Sequence, residues 1–127
     1  MGGKPAMSTI LIADDEQPMR QFIARAMADS GHQTLLAMNG RQALELMEKE
    51  RPDLVISDVM MPLMGGVELC QHLKGAADTA AIPVILMTAG GERIVADAGY
   101  DGFLAKPFDL DVMEALVERC LDRRMEH

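Results

Sequence analysis

Short apolar runs alternate with longer amphipathic ones along most of this chain. Thr9–Ala13 (TILIA) is a β-branched run that stops at three consecutive acids, Asp14, Asp15 and Glu16. The next apolar positions, Met19, Phe22, Ile23, Ala26 and Met27, fall on one face of a helix. Pro18 suits the first helical turn, where its missing N–H costs nothing, and Gly31 suits the position just past the end. Gln33–Ala37 reads as a second strand. Asn39-Gly40 then opens a helix with Ala43, Leu44 and Met47 inward, closed by Arg51-Pro52. Leu54–Ser57 (LVIS) is a continuous apolar run that stops at Asp58, and a loop with Pro62, Gly65 and Gly66 leads to a helix from Val67 to Lys74. Pro83–Met87 (PVILM) stops at Thr88. A weak helical stretch, Glu92–Ala98, precedes a short strand at Gly102–Ala105, after which come Lys106 and Pro107. Asp109 can cap a final helix whose inner face is Met113, Leu116, Val117, Cys120 and Leu121.

Strand then helix, five times over, predicts a parallel sheet covered on both faces, and strands buried on both sides show the continuous apolar runs seen here. Composition narrows the class. A chain of 127 residues makes one domain, with Met1–Met7 read as a leader or disordered N-terminus, 8–124 as the folded unit and 125–127 as a frayed end. Twelve Lys and Arg against twenty Asp and Glu give a net charge of -8, which argues against a nucleic-acid surface. No apolar run approaches the ~20 residues of a membrane span, and no secretory leader opens the sequence. Two cysteines make no disulfide framework, so the expected setting is the reducing cytoplasm.

Ligands of such sheets sit beyond the carboxyl ends of the strands, at the switch point of the strand order. Those ends carry Asp14 and Asp15, Asp58, Thr88 and Lys106, while the second strand ends in Ala37 and Met38. In a flavodoxin-like order 2-1-3-4-5 the first and third strands are neighbours, so three carboxylates converge. Such carboxylates repel one another and call for a cation, and Mg²⁺ suits a few carboxylate oxygens plus an incoming phosphate. Lys106 adds a positive charge and Thr88 a hydroxyl donor. Together these are parts for phosphoryl transfer onto a carboxylate. Taken singly, Asp-Asp after a strand is a helix cap and Lys-Pro before a helix is a turn. Their conjunction at one end of different strands defeats the plainer reading.

Four motifs, ILIADDE at Ile10–Glu16, DVMMPLMGG at Asp58–Gly66, PVILMTA at Pro83–Ala89 and GFLAKPF at Gly102–Phe108, resemble the receiver domain of two-component response regulators, from Ser8 to Leu121. The resemblance implies that Asp58 is the phosphoacceptor for a histidine kinase or histidine phosphotransfer protein. It implies that Asp14, Asp15, Asp58 and the Met60 carbonyl bind Mg²⁺, and that Lys106 contacts the phosphoryl group. It implies that Thr88 and Phe103 form a switch read on the surface of the Glu92–Ala98 helix, the Gly102–Ala105 strand and the final helix. It further implies either a freestanding regulator with a protein partner or the receiver portion of a longer protein with a separate output domain. The module would bind neither nucleic acid nor membrane itself, and its only chemistry would be its own phosphorylation and dephosphorylation.

Three departures qualify the match. The stretch from Thr88 to Lys106 is a helical turn short, which shortens helix 4. Gly65 stands where an Asp or Asn usually caps helix 3, and Phe103 lacks a tyrosine's hydroxyl. An aspartate-nucleophile phosphatase is the rival reading. It needs a second Asp two positions after the nucleophile as general acid, and here that position is Met60, with no His, Glu or second Asp near Asp58 expected to protonate a leaving group. A pseudo-receiver that binds without phosphorylation is opposed by the intact set of Asp14, Asp15, Asp58, Thr88 and Lys106. Cys70 and Cys120 are expected to be buried thiols, His32 and His72 surface residues, and Met60, Met61 and Met64 an adaptable surface beside the site.

Overall fold

The computed structural model of the chain describes residues 8–95 and 98–125. The leader expected over 1–7 and the last two positions of the expected frayed end lie outside the described residues. In chain order the elements are β1 (Thr9–Ala13), α1 (Gln17–Asp29), β2 (Gln33–Ala37), α2 (Gly40–Lys49), β3 (Leu54–Asp58), α3 (Gly66–Lys74), β4 (Val84–Thr88), a 3-10 turn (Glu92–Val95), β5 (Gly102–Ala105) and α4 (Leu110–Met125). All strand pairs are parallel and the order is β2-β1-β3-β4-β5, the flavodoxin-like arrangement predicted.

Alternate residues of each strand point to opposite faces of the sheet. Ile10, Ile12, Ile56, Ile85 and Met87 pack under α1 and α4, where Ile23, Met27, Met113 and Val117 meet them. Leu11, Val55, Val84 and Leu86 pack under α2 and α3, against Ala43, Met47, Leu69 and Leu73. Burying each large side chain stabilises the fold by about 1.5–3 kcal/mol, so these two layers can hold several like charges together at one sheet end. Local signals agree with the layers. Asn39 accepts a hydrogen bond from the Gln42 N–H at 2.8 Å, while Gln42 Oε1 accepts from the Met38 N–H at 2.7 Å, a reciprocal cap for α2. No side chain caps α3, as predicted from Gly65; a Cβ there would lie 2.5 Å from the Val59 carbonyl.

Several expectations need correction. The shortened fourth helix predicted over Glu92–Ala98 is reduced to the single 3-10 turn among the described residues. Gly91 at φ 91° and Gly99 at φ 78° take left-handed conformations that a right-handed helix cannot continue through. The final helix, α4, runs through Met125, the first residue of the end expected to fray. Phe22 is 50% exposed although its spacing places it on the inward face of α1. The buried stripe is centred on Ile23 and Met27, which leaves Phe22 at the margin of the helix. His32 is buried, not on the surface, whereas His72 is exposed as expected. After the left-handed Gly31, the Gly31 N–H donates to Ala28 O and the His32 N–H to Met27 O, both at 3.0 Å. That is the Schellman geometry, and it closes the end of α1.

Candidate functional site

The strand register assembles the site. Ala13 pairs with Ser57, so Asp14 and Asp58 follow side by side on neighbouring strands. Asp58 pairs with Met87 and Thr88 with Ala105, which brings Thr88 and then Lys106 to the same level. Beyond these ends lies a cavity of about 580 Å³ lined by Asp15, Glu16, Asp58, Met60, Thr88 and Lys106, with Ala89 and Gly90 completing it.

Asp14 is wholly buried, Asp58 and Thr88 nearly so, and Asp15 is exposed. One oxygen from each of Asp14, Asp15 and Asp58 lies within 4.8 Å of the others. Lys106 Nζ sits 3.2 Å from Asp58 Oδ2 and 3.5 Å from Asp14 Oδ2. Burial raises the pKa of Asp14 above the ordinary carboxylate value; the Glu16 N–H and the Lys106 charge pull it back, and the Asp58 charge adds to the rise. For Lys106, burial works against the ammonium, but the charges of Asp14 and Asp58 outweigh it and its pKa ends above the ordinary value. The site is therefore a cluster of three carboxylates with one internal cation. Its donors are all oxygens, the set that suits a small hard cation such as Mg²⁺.

The backbone behind Asp58 is tightly packed. Ser57 Oγ donates to the Asp58 carbonyl at 2.9 Å, and the Gly66 N–H donates to Val59 O at 3.0 Å. A Cβ at Gly66 would lie 2.3 Å from the Asp58 carbonyl, so only glycine lets α3 start this close to β3. Thr88 Oγ1 accepts from the Gly90 N–H at 3.0 Å, linking the hydroxyl to the backbone that leads into the 3-10 turn.

Asp14, Asp15, Asp58, Met60, Thr88 and Lys106 are thus brought together as the sequence suggested. Phe103 lies elsewhere: it lines a second cavity between β5 and α4, its ring centroid 6.2 Å from that of Tyr100. Glu16 belongs to the cavity although sequence reasoning placed no further carboxylate beside Asp58. Its place directly after Asp14-Asp15 was the available signal. Arg20 was also missed; its Nη1 donates to the Asp14 carbonyl at 2.8 Å. Cys70 and Cys120 are buried as expected, and burial pushes the Cys70 thiol up to about 11. Cys70 Sγ donates to the Ala98 carbonyl at 3.3 Å, tying α3 to the shortened crossover.

Known proteins share the sequence pattern and the fold. Residues 10–118 match the response regulator receiver domain family. Response regulator MprA of Mycolicibacterium vanbaalenii is 38% identical over 118 residues, 90% of this chain and 50% of that protein. The probable transcriptional regulator ycf27 of Galdieria sulphuraria is 40% identical over 121 residues, 92% of this chain and 46% of that protein. The chain spans about half the length of the curated relatives it matches. Among solved structures, the signal receiver domain of a signal transduction histidine kinase from Syntrophus aciditrophicus matches with a TM-score of 0.86 at 37% identity, covering 91% of this chain and 90% of that one. The chemotaxis response regulator CheY4 of Vibrio cholerae matches with a TM-score of 0.83 at 29% identity, covering 90% and 98%. The chain belongs to the response regulator receiver domain family, signalling switches of two-component systems that work by phosphorylation of an aspartate.

Proposed function

We propose that the unit of residues 8–124 is switched by a phosphoryl group received on Asp58. The observation that carries this reading is the placement of Asp58, its carboxylate at the cavity wall and 3.2 Å from the Lys106 ammonium. An Asp58 oxygen forms the new O–P bond as the N–P bond of a partner's phosphohistidine breaks. The imidazole leaves with the bonding pair and takes a proton from solvent. Lys106 offsets charge on the phosphoryl oxygens, and the Thr88 hydroxyl donates to one of them. Asp14, Asp15, Asp58 and the Met60 carbonyl would hold Mg²⁺, which when bound lowers the charge that the incoming phosphoryl group meets. Phosphorylation puts about two negative charges where there was one. Thr88 then turns inward, the Ala89–Gly91 backbone follows, and Phe103 reports the change on the face formed by the 3-10 turn, β5 and α4.

Among the described residues no helix is long and apolar enough to cross a membrane. The relatives' greater length supports a separate output domain, with the cytoplasm as the setting in which a histidine kinase or phosphotransfer protein meets this unit. Incubation with acetyl phosphate and Mg²⁺, followed by intact-protein mass spectrometry, tests the assignment. One labile phosphoryl adduct is expected, absent without Mg²⁺ and absent in Asp58→Asn, since an amide is not a nucleophile. An undiminished adduct in that variant places the acceptor elsewhere.

A further inference from the structure

We propose that Arg20 is a positioning residue for the acidic cluster and sets how tightly that cluster holds a divalent cation. The inference rests on the metal reading above. Four contacts fix Asp14. Its N–H donates to the Ala37 carbonyl at 3.0 Å, and its Oδ1 accepts from the Glu16 N–H at 2.9 Å. Its Oδ2 faces Lys106 Nζ at 3.5 Å, and its own carbonyl accepts from Arg20 Nη1 at 2.8 Å. Arg20 is half-buried, and its backbone N–H donates to Glu16 O at 3.0 Å where α1 begins. The arginine therefore ties the end of β1 to the first turn of the helix that follows it.

The Asp14 carbonyl and the Asp15 N–H belong to one planar peptide unit. Holding that carbonyl fixes the plane from which the two carboxylates diverge, Asp14 into the interior and Asp15 onto the open wall of the cavity. Without the arginine the plane is free to turn about the bonds on either side. The two carboxylates would then have to be ordered anew whenever a cation binds. A cation with strict octahedral demands is sensitive to that disorder.

The sign of the effect separates positioning from charge. Arg20 carries a positive charge near a cation site, so electrostatics alone predicts that its removal tightens binding. Positioning predicts the opposite. The test uses the full chain, with Mg²⁺ alone as the probe, in calorimetric titration and in the rise of Tm on adding Mg²⁺. Arg20→Ala is expected to weaken Mg²⁺ binding about tenfold, the usual cost of removing a group that orients a metal ligand. Arg20→Met should show the same loss while keeping the apolar stem. Arg20→Lys, which keeps a charged N–H donor, should recover most of the affinity. An unchanged or tighter Mg²⁺ dissociation constant in Arg20→Ala and Arg20→Met overturns the proposal. So does a lower Tm in chelator with unaltered Mg²⁺ affinity, which assigns the arginine to stability alone. Failure of the wild-type chain to bind Mg²⁺, or undiminished binding in Asp14→Asn, instead overturns the metal reading, and the proposal with it.

Discussion

Neutralising Asp14 should stabilise the metal-free protein, and the structure gives the size of the effect. At an effective dielectric of about 20, Asp14 and Asp58, with oxygens within 4.8 Å of each other, repel by at least about 3.5 kcal/mol, and exposed Asp15, in a water-like dielectric, adds at least about 0.9. Lys106 at 3.5 Å attracts Asp14 by about 4.7 kcal/mol on the same scale. The repulsion therefore offsets nearly all of that attraction or more, which leaves the cost of burying a carboxylate with no exposed surface. The Glu16 N–H offsets part of that cost, and an asparagine oxygen keeps this bond. Asp14→Asn should therefore gain about 1–2 kcal/mol, a rise in Tm of about 4–8 °C for a domain of this size. The pH dependence has a definite sign. Because the folded-state pKa of Asp14 is raised above 3.8, its ionisation costs stability above that folded value. The advantage of the asparagine is thus complete at neutral pH, shrinks as pH falls through the raised pKa, and is gone below the unfolded value. Calorimetric melting in chelator from pH 3 to pH 8 checks this, and Mg²⁺ should then raise the Tm of wild type more than that of the variant. A clear fall in Tm for Asp14→Asn at neutral pH would refute the picture of carboxylates crowded against their own repulsion.

Two further outcomes follow from the packing around the site. Gly66→Ala should cost about 1–3 kcal/mol, because its Cβ would lie 2.3 Å from the Asp58 carbonyl and one of two backbones must move. An unchanged Tm and an unchanged rate of labelling by acetyl phosphate would contradict that contact. Hydrogen exchange at the described residues from Gly90 to Val95 and at Ala98 and Gly99 should be fast without a phosphoryl mimic and slow with one and Mg²⁺, since one 3-10 turn bounded by glycines holds itself weakly and relies on buried Val95 and Ala98. Protection equal to that of β3 and β4 in both states would count against this segment as the element that moves.

The strand order and the gathering of most candidate residues at one end of the sheet were legible in the chain alone. Short continuous apolar runs such as PVILM, alternating with longer amphipathic segments, suit strands covered on both sides, and parallel strands point their carboxyl ends one way. Asp14, Asp58, Thr88 and Lys106 could therefore be placed at one end without knowing a single distance. Pro18, Gly31 and Asn39 marked helix ends because their preferences are set within a few residues of chain. Tertiary structure decided whatever depends on a neighbour remote in sequence. Phe22 and Ile23 are both apolar members of one periodic face, yet the position of α1 over the sheet exposes one and buries the other. His32 reads as a polar surface residue, yet it is buried. The need for glycine at 66 comes from a carbonyl eight residues earlier, brought close only when α3 docks on β3. Glu16 joins the cavity from the turn after β1, and Arg20 reaches a backbone oxygen of that turn from the start of α1. Periodicity records which residues prefer burial, whereas the packing of one element against another determines which of them are covered and what their polar atoms meet.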